Sequence, residues 1–270
     1  MKKRILSLLV VTIMVLSLVA CGSKDGGKDT SLKYIQDKGE FILGLDDSFP
    51  PMGFRDEADN IVGFDIDLAN AVCEELGVKL KLQPIKWEAK EQELSTKNID
   101  CIWNGFSITP ERLENMTMSI PYMGNSISLV VLKDSEIKSM ADMAGKSLAV
   151  QSGSSAEETL DSDENKAFKD SLGKTYGFSD YVTALMDLET GNSDAVLMDS
   201  VVATYMINEA GKDFVVLGDN LIAEEYAIGF RKGETNLCAA VEKALKDLKA
   251  DGTIEEISTK WFGSDVTTIK

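Results

Sequence analysis

Asp100-Cys-Ile-Trp-Asn-Gly-Phe-Ser-Ile-Thr-Pro-Glu-Arg112 sets the reading of the whole chain. Cys101–Trp103 is an apolar run of the kind that forms a short strand buried on both faces, and it leads directly into a glycine, two hydroxyls and an arginine. Gly105 lets the backbone approach a ligand closely. Ser107 and Thr109 offer hydroxyl donors, and Pro110 fixes a turn from which Arg112 presents a two-pronged guanidinium. These are the parts of a carboxylate clamp, although a strand entering a capped helix with a surface arginine uses the same residues.

Outward from this segment, strands and helices alternate. Strands are predicted at Phe41–Leu45, Val78–Leu82, Ser128–Leu132, Ser147–Gln151, Thr175–Phe178, Ala195–Met198, Phe214–Leu217 and Tyr226–Phe230. Helices are predicted over Gly63–Leu76, Glu88–Thr96, from Ser155, over Tyr181–Leu188, over Thr235–Asp251, and in a short piece ending at Trp261-Phe262-Gly263. This is the α/β pattern of mostly parallel sheets covered by helices. An internal repeat divides it: Leu94-Ser-Thr-Lys-Asn-Ile-Asp100-Cys-Ile and Leu188-Glu-Thr-Gly-Asn-Ser-Asp194-Ala-Val share a helix end, a turn, an aspartate at one offset and a buried strand. Two similar lobes are expected. Ligands of open α/β sheets sit beyond the carboxyl ends of the strands, which places Asn104-Gly105 of one lobe opposite Met198-Asp199 of the other. A guanidinium from one side and a carboxylate from the other suit a zwitterion.

Composition narrows the function. Lys2, Lys3 and Arg4 precede an apolar run, Ile5 to Ala20, that is short for a membrane span and ends Leu18-Val19-Ala20-Cys21; this reads as a signal peptide over 1–20. The Gly/Ser/Lys/Asp stretch 21–30 lacks apolar periodicity and reads as a flexible tether. Losing residues 1–20 removes three cations and no acid, taking the net charge from −17 to −20. An acidic body without a basic stripe argues against nucleic acid as a partner. With no histidine anywhere, Ser-His-Asp and Cys-His nucleophile systems and the usual histidine-bearing metal sites are excluded. No metal or cofactor is expected. Cys73, Cys101 and Cys238 fall in line with apolar neighbours and read as core filler, with a disulfide between two of them left open.

Ordered along the chain, these blocks resemble the polar amino-acid-binding lipoproteins of ABC importers, solute-binding protein family 3: Phe49-Pro-Pro-Met52, Gly63-Phe-Asp-Ile-Asp-Leu-Ala69, Ile99-Asp100, Ser107-Ile-Thr-Pro-Glu-Arg112, Pro121-Tyr122, Gly145-Lys146, Gln151-Ser-Gly-Ser-Ser155, Asp194-Ala-Val196, Asp199 and Lys260-Trp-Phe-Gly263. The likeness spans most of the chain beyond the leader. Met118 stands where phenylalanine is usual, and Ser154-Ser155 replaces a commoner threonine pair.

The resemblance implies a two-lobed, periplasmic-binding-protein-like type II fold with two hinge crossovers, lobe one at 31–124 and 225–270 and lobe two at 125–224. It implies acylation of Cys21, a lipid-anchored monomer on the outer face of a bacterial membrane, an amino-acid ligand and a membrane permease as partner. Carried over by position, Arg112 would hold the α-carboxylate, assisted by Ser107 and by backbone N–H groups around Ser107 and Ser155. Asp199 would take the α-ammonium with the Gly105 carbonyl helping. Phe49 and Trp87 would wall the side chain, although Trp87 before a helix also fits a hydrophobic staple. Asp46 or Asp47 would meet the distal end or else cap a turn. Asn104, Gln151, Ser154, Glu88 and Glu225 are further candidates, Glu88 with a solvated surface as its plainer reading. Two other classes stay open: a dehydratase of a cyclic amino-acid precursor on the same fold, which needs an acid in the cleft, and a sensory ectodomain, against which the close at Trp261-Phe262-Gly263 near Lys270 is read.

Overall fold

The computed structural model describes residues 28–211 and 213–270; the expected leader, Cys21 and most of the tether lie outside them. The described chain begins with a helix, Ser31–Lys38, ended by Gly39 in the left-handed region. Strand β1 (Glu40–Leu45) follows, then a small antiparallel sheet of β2 (Ser48–Phe49), β3 (Gly53–Arg55) and β4 (Ile61–Val62). After the helix Phe64–Leu76 come β5 (Lys79–Pro84), a 3-10 turn at Trp87–Ala89 running into the helix Lys90–Ser95, and β6 (Cys101–Ser107). Next are the helix Pro110–Asn115, β7 (Met116–Met118) and the long β8 (Met123–Leu132). The second half adds β9 (Ser147–Gln151), helices Ser155–Leu160 and Lys166–Ser171, β10 (Lys174–Phe178), the helix Tyr181–Glu189, β11 (Ala195–Asp199) and the helix Ser200–Ala210. It closes with β12 (Phe214–Arg231) and helices Thr235–Ala250 and Thr253–Phe262.

Strands β5, β1 and β6 pair in parallel, as do β10, β9 and β11, so each half carries the expected parallel core. The two are joined through β8 and β12, which run antiparallel to each other and to their neighbours β11 and β6. The segments Phe214–Leu217 and Tyr226–Phe230, expected separately, are the two ends of β12, which shifts register between Val216 and Ile222 on its way. All seven residues of β6 are buried; the strand continues past the expected Trp103 as far as Ser107, which carries Asn104, Gly105 and Ser107 into the junction of the halves.

The repeated aspartates do the same work in each half. Asp100 Oδ2 accepts the Ile42 N–H of neighbouring β1 at 2.8 Å, and Asp194 Oδ2 accepts the Ser147 N–H of neighbouring β9 at 2.8 Å. Each ties the start of one strand to its parallel partner, a backbone donor satisfied by a fixed carboxylate. Behind the first half, the helix Thr235–Ala250 buries Leu237, Cys238, Val241, Ala244, Leu245 and Leu248, the 3-and-4 spacing of one helical face. Each large apolar side chain so buried stabilises by roughly 1.5–3 kcal/mol. Cys73, Cys101 and Cys238 are free and buried, as core filler requires. The main apolar core runs from this helix through Phe64 and Phe49 to Tyr181 and Met198, so both halves share one seam.

Candidate functional site

Along that seam, residues from the two halves meet directly. Gln151 Nε2 donates to Asp46 Oδ2 at 2.7 Å, Lys90 Nζ donates to the Gly153 carbonyl at 2.7 Å, and the Phe49 and Tyr181 rings lie 5.9 Å apart. Arg112 is buried at 1 % exposure. Its helix starts at Pro110 under a Thr109 cap, the hydroxyl accepting the Arg112 N–H at 3.3 Å. The guanidinium lies 4.2 Å over the Phe106 ring, with Nη1 donating to the Ser107 carbonyl at 2.9 Å and Nη2 to Glu158 Oε1 at 2.7 Å. Its Nε is buried without a partner among the described residues.

Asp199, at the carboxyl end of β11, is equally enclosed. Its Oδ1 accepts from Asn125 Nδ2 and from Tyr226 Oη, both at 2.7 Å. Burial, and next the neighbouring Glu224 charge, push its carboxyl up to about 7. Between Arg112 and Asp199 runs one continuous network. Ser107 Oγ donates to Glu224 Oε2 at 2.7 Å, Ser155 Oγ lies 3.2 Å from Ser107 Oγ and 3.1 Å from Glu224 Oε2, and Asn125 Nδ2 reaches Glu224 Oε2 at 3.3 Å as well as Asp199. The guanidinium and the carboxylate therefore belong to one enclosed polar cluster.

Asp46 sits at the other end of the seam. Ser48 Oγ donates to its Oδ1 at 2.5 Å, and burial raises its carboxyl above the usual range despite the Ser48 and Gln151 hydrogen bonds that oppose the shift. Asn104 Oδ1 holds the Asp46 N–H at 3.0 Å, while its Nδ2 is buried without a partner among the described residues. Asp46, Ser48, Trp87, Ser152 and Asp180 line a cavity of about 250 Å³. Trp87 also packs edge-on against Phe106 at 5.9 Å, so it fills core and faces the cavity together. Burial lowers the ammonium of nearby Lys90 to about 8, the Arg112 charge adding to the effect. A larger cavity of about 800 Å³ lies elsewhere, lined by Ser200, Tyr205 and Trp261 among others, and contains none of these groups.

Gly105 has φ +57°, and a Cβ there would stand 2.7 Å from Phe49 Cε1 and 3.2 Å from Tyr226 Cζ. The space that a side chain would take at Gly105 is filled by two of the chain's own rings. The Gly105 N–H is held by Asp65 Oδ2 at 2.7 Å, an oxygen that also accepts Tyr122 Oη at 3.0 Å. Ser154 caps the helix Ser155–Leu160 by accepting the Glu157 N–H.

Three further candidates flank these groups. Asp47 lines the same cavity as Asp46, and its Oδ2 accepts from Arg55 Nε at 2.6 Å. Glu88 is exposed, its plainer reading. Glu225 is exposed too, and the buried carboxylate is its neighbour Glu224. Alternate residues of a strand face opposite sides, so placing the acid one position late puts it on the wrong face; Glu224 and Tyr226 point in while Glu225 points out. Tyr181 and Tyr226 also escaped the sequence reading, Tyr181 as the first residue of an amphipathic helix. The alternation through Glu224-Glu225-Tyr226 was the available signal.

Two parallel half-sheets joined by paired crossovers, meeting over an enclosed guanidinium and carboxylate, define a two-lobed small-molecule binding protein. Residues 41–264 match the bacterial extracellular solute-binding proteins, family 3, and the chain belongs to that family. It is 32 % identical over 258 residues to the L-cystine-binding protein TcyJ of Escherichia coli K12, covering 94 % of this chain and 95 % of that protein. An ABC uptake transporter substrate-binding protein from Streptococcus pneumoniae with bound histidine superposes with TM-score 0.85 at 38 % identity, covering 89 % of this chain and 98 % of that one. The ancestral amino-acid-binding protein AncCDT-1, a precursor of cyclohexadienyl dehydratase, gives TM-score 0.78 at 34 % identity, covering 86 % and 99 %. The fold is the type II periplasmic-binding-protein architecture, and the chain is an extracellular solute-binding protein of family 3.

Proposed function

We propose that the seam holds one polar amino acid as its zwitterion and releases it to a membrane permease. Arg112 takes the α-carboxylate with Ser107 and Ser155, and Asp199 takes the α-ammonium beside the Gly105 carbonyl. The ligand side chain runs between Phe49, Trp87 and Tyr181 towards Asp46, Asn104, Gln151 and Ser154. The observation that carries this reading is the enclosure of a guanidinium and a carboxylate in one hydrogen-bonded network at the meeting of the two halves. Charge-assisted contacts contribute about 1.5–3 kcal/mol each, enough for about micromolar affinity after ordering costs.

In this proposal lobe one is 31–124 with 225–270 and lobe two 125–224, β8 and β12 serving as the hinge. Contacts split between lobes make closure follow binding, because the closed form offers the ligand both charges and the open form only one. Acylation at Cys21 would hold a monomeric body at the outer membrane face, where its acidic surface keeps it off anionic lipid; among the described residues no helix is long and apolar enough to cross a membrane. Calorimetric titration with the common amino acids and cystine tests the assignment: at least one binds, and Arg112→Ala weakens it about 100-fold or more in a protein that still melts cooperatively. Unchanged affinity in Arg112→Ala would remove the guanidinium from the site.

One observation favours a second reading. A carboxyl at about 7 retains a proton near neutrality, as an acid catalyst must. Burial and the Glu224 charge account for it without catalysis, and an arriving ammonium would restore the charge of Asp199. Turnover of a cyclic amino-acid precursor by the purified protein would decide for the enzyme.

A further inference from the structure

Glu224 is a buried acid that the zwitterion clamp does not need. It lies on the inward face of β12 opposite Asn125 of β8, on the crossover that joins the halves, and is 8 % exposed. Its Oε2 alone gathers Ser107 Oγ, Ser155 Oγ and Asn125 Nδ2 at 2.7, 3.1 and 3.3 Å, and it feels the Arg112 charge. Two of those donors, with the same guanidinium, are the ones that the amino-acid reading gives to the ligand's carboxylate. We propose that Glu224 is a built-in competitor for the α-carboxylate: its own carboxylate occupies the clamp, and a ligand must displace or neutralise it in order to bind.

The inference rests on the amino-acid reading of the cleft. Two carboxylates within reach of the same hydroxyls repel, and with water excluded the repulsion is stronger than at the surface. Two exits are open to Glu224. The side chain borders a cavity of about 590 Å³ shared with Ile108, Thr109, Glu158 and Ala223, into which it can turn by rotamer change. Alternatively it takes a proton, which burial already favours, and becomes a donor. The charged and titratable groups facing it are Arg112 from the helix after β6, Glu158 from the helix after β9, which pairs with Arg112 Nη2 and shares that cavity, Asp199 from the end of β11, and the hydroxyls of Tyr226 on its own strand and Tyr181 on the helix after β10. Asp199 competes for the same proton, and a proton on Glu224 leaves Asp199 charged for the ammonium.

The test titrates wild type, Glu224→Gln and Glu224→Ala with L-arginine, L-histidine, L-glutamine and L-cystine, each also as its α-methyl ester. A competitor for the carboxylate predicts that both variants bind the free amino acid about tenfold tighter, the loss of one like-charge contact, while affinity for the ester, which brings no carboxylate charge, stays within about twofold. Thermal melting without ligand reports folding of each variant, and agreement between the two guards against a packing artefact in either. Weaker binding of free acid and ester alike would place Glu224 on the ammonium and overturn the proposal, as would unchanged affinity for both. If neither wild type nor the variants bind any of the common amino acids or cystine, the amino-acid reading falls with it.

Discussion

Replacing Gly105 by alanine tests how the seam is built. Gly105 holds φ +57°, and its added Cβ would stand 2.7 Å from Phe49 Cε1 and 3.2 Å from Tyr226 Cζ. The left-handed backbone costs an alanine roughly 1–2 kcal/mol. The clash costs roughly 1–3 kcal/mol more, because neither ring can simply move aside: Phe49 packs on Tyr181 at 5.9 Å and Tyr226 is held by Asp199 at 2.7 Å. A loss of about 2–5 kcal/mol follows, or roughly 5–20 °C in melting temperature for a protein of this size. Phe49 walls the proposed ligand's side chain and Tyr226 holds the Asp199 that takes its ammonium, so affinity should fall together with stability. Urea denaturation followed by tryptophan fluorescence gives the first quantity and calorimetry gives the second. A loss below about 1 kcal/mol with unchanged affinity would refute both the rigidity of the ring pair and its place beside the ligand.

Two further outcomes follow from buried groups. Burial pushes the carboxyl of Asp65 up to about 7 from an ordinary 3.8, so between those values the folded protein keeps a proton that the unfolded chain releases. That contribution to stability is present at low pH and is lost as pH rises through about 7, by up to about 4 kcal/mol. Wild type should therefore lose stability relative to Asp65→Asn between pH 4 and pH 8 in urea titrations, and an equal difference at both ends would contradict the buried-acid assignment. Burial likewise drives the thiols of Cys73 and Cys238 up to about 12 and that of Cys101 well above the ordinary thiol range. All three should resist a thiol reagent in the native protein and react once it is unfolded; rapid native labelling of any one, mapped by mass spectrometry, would show that it is accessible.

Much of the candidate cluster was legible because its residues are close in sequence. Asn104, Gly105, Ser107 and Arg112 arrive on one strand, turn and helix, and the Leu94 and Leu188 repeats correctly paired Asp100 with Asp194. Local pattern fixed β1, the helix Phe64–Leu76 and the helix Thr235–Ala250, where apolar spacing is strong. It missed the helix Ser31–Lys38 and the two- and three-residue strands β2, β3 and β4, which are too short to show a period. It split β12 in two, because the middle of that strand shifts register and is mostly exposed. The Glu224–Glu225 choice depended on which face of a crossover strand points inward, and one position changes the answer completely.

The sequence by itself determined the α/β class, the duplicated strand-and-aspartate unit, the guanidinium on its turn and the acidic, histidine-free chemistry, because these are properties of composition and of spacing within a few residues. Only the tertiary structure decided which groups share the seam. Ser107 meets Ser155 and Glu224, Phe49 meets Tyr181, and Asp46 meets Gln151 across separations of 48 to 132 positions. No local period records such partners: they are brought together by the pairing of β8 with β12 and by burial that excludes water from the groups between the halves.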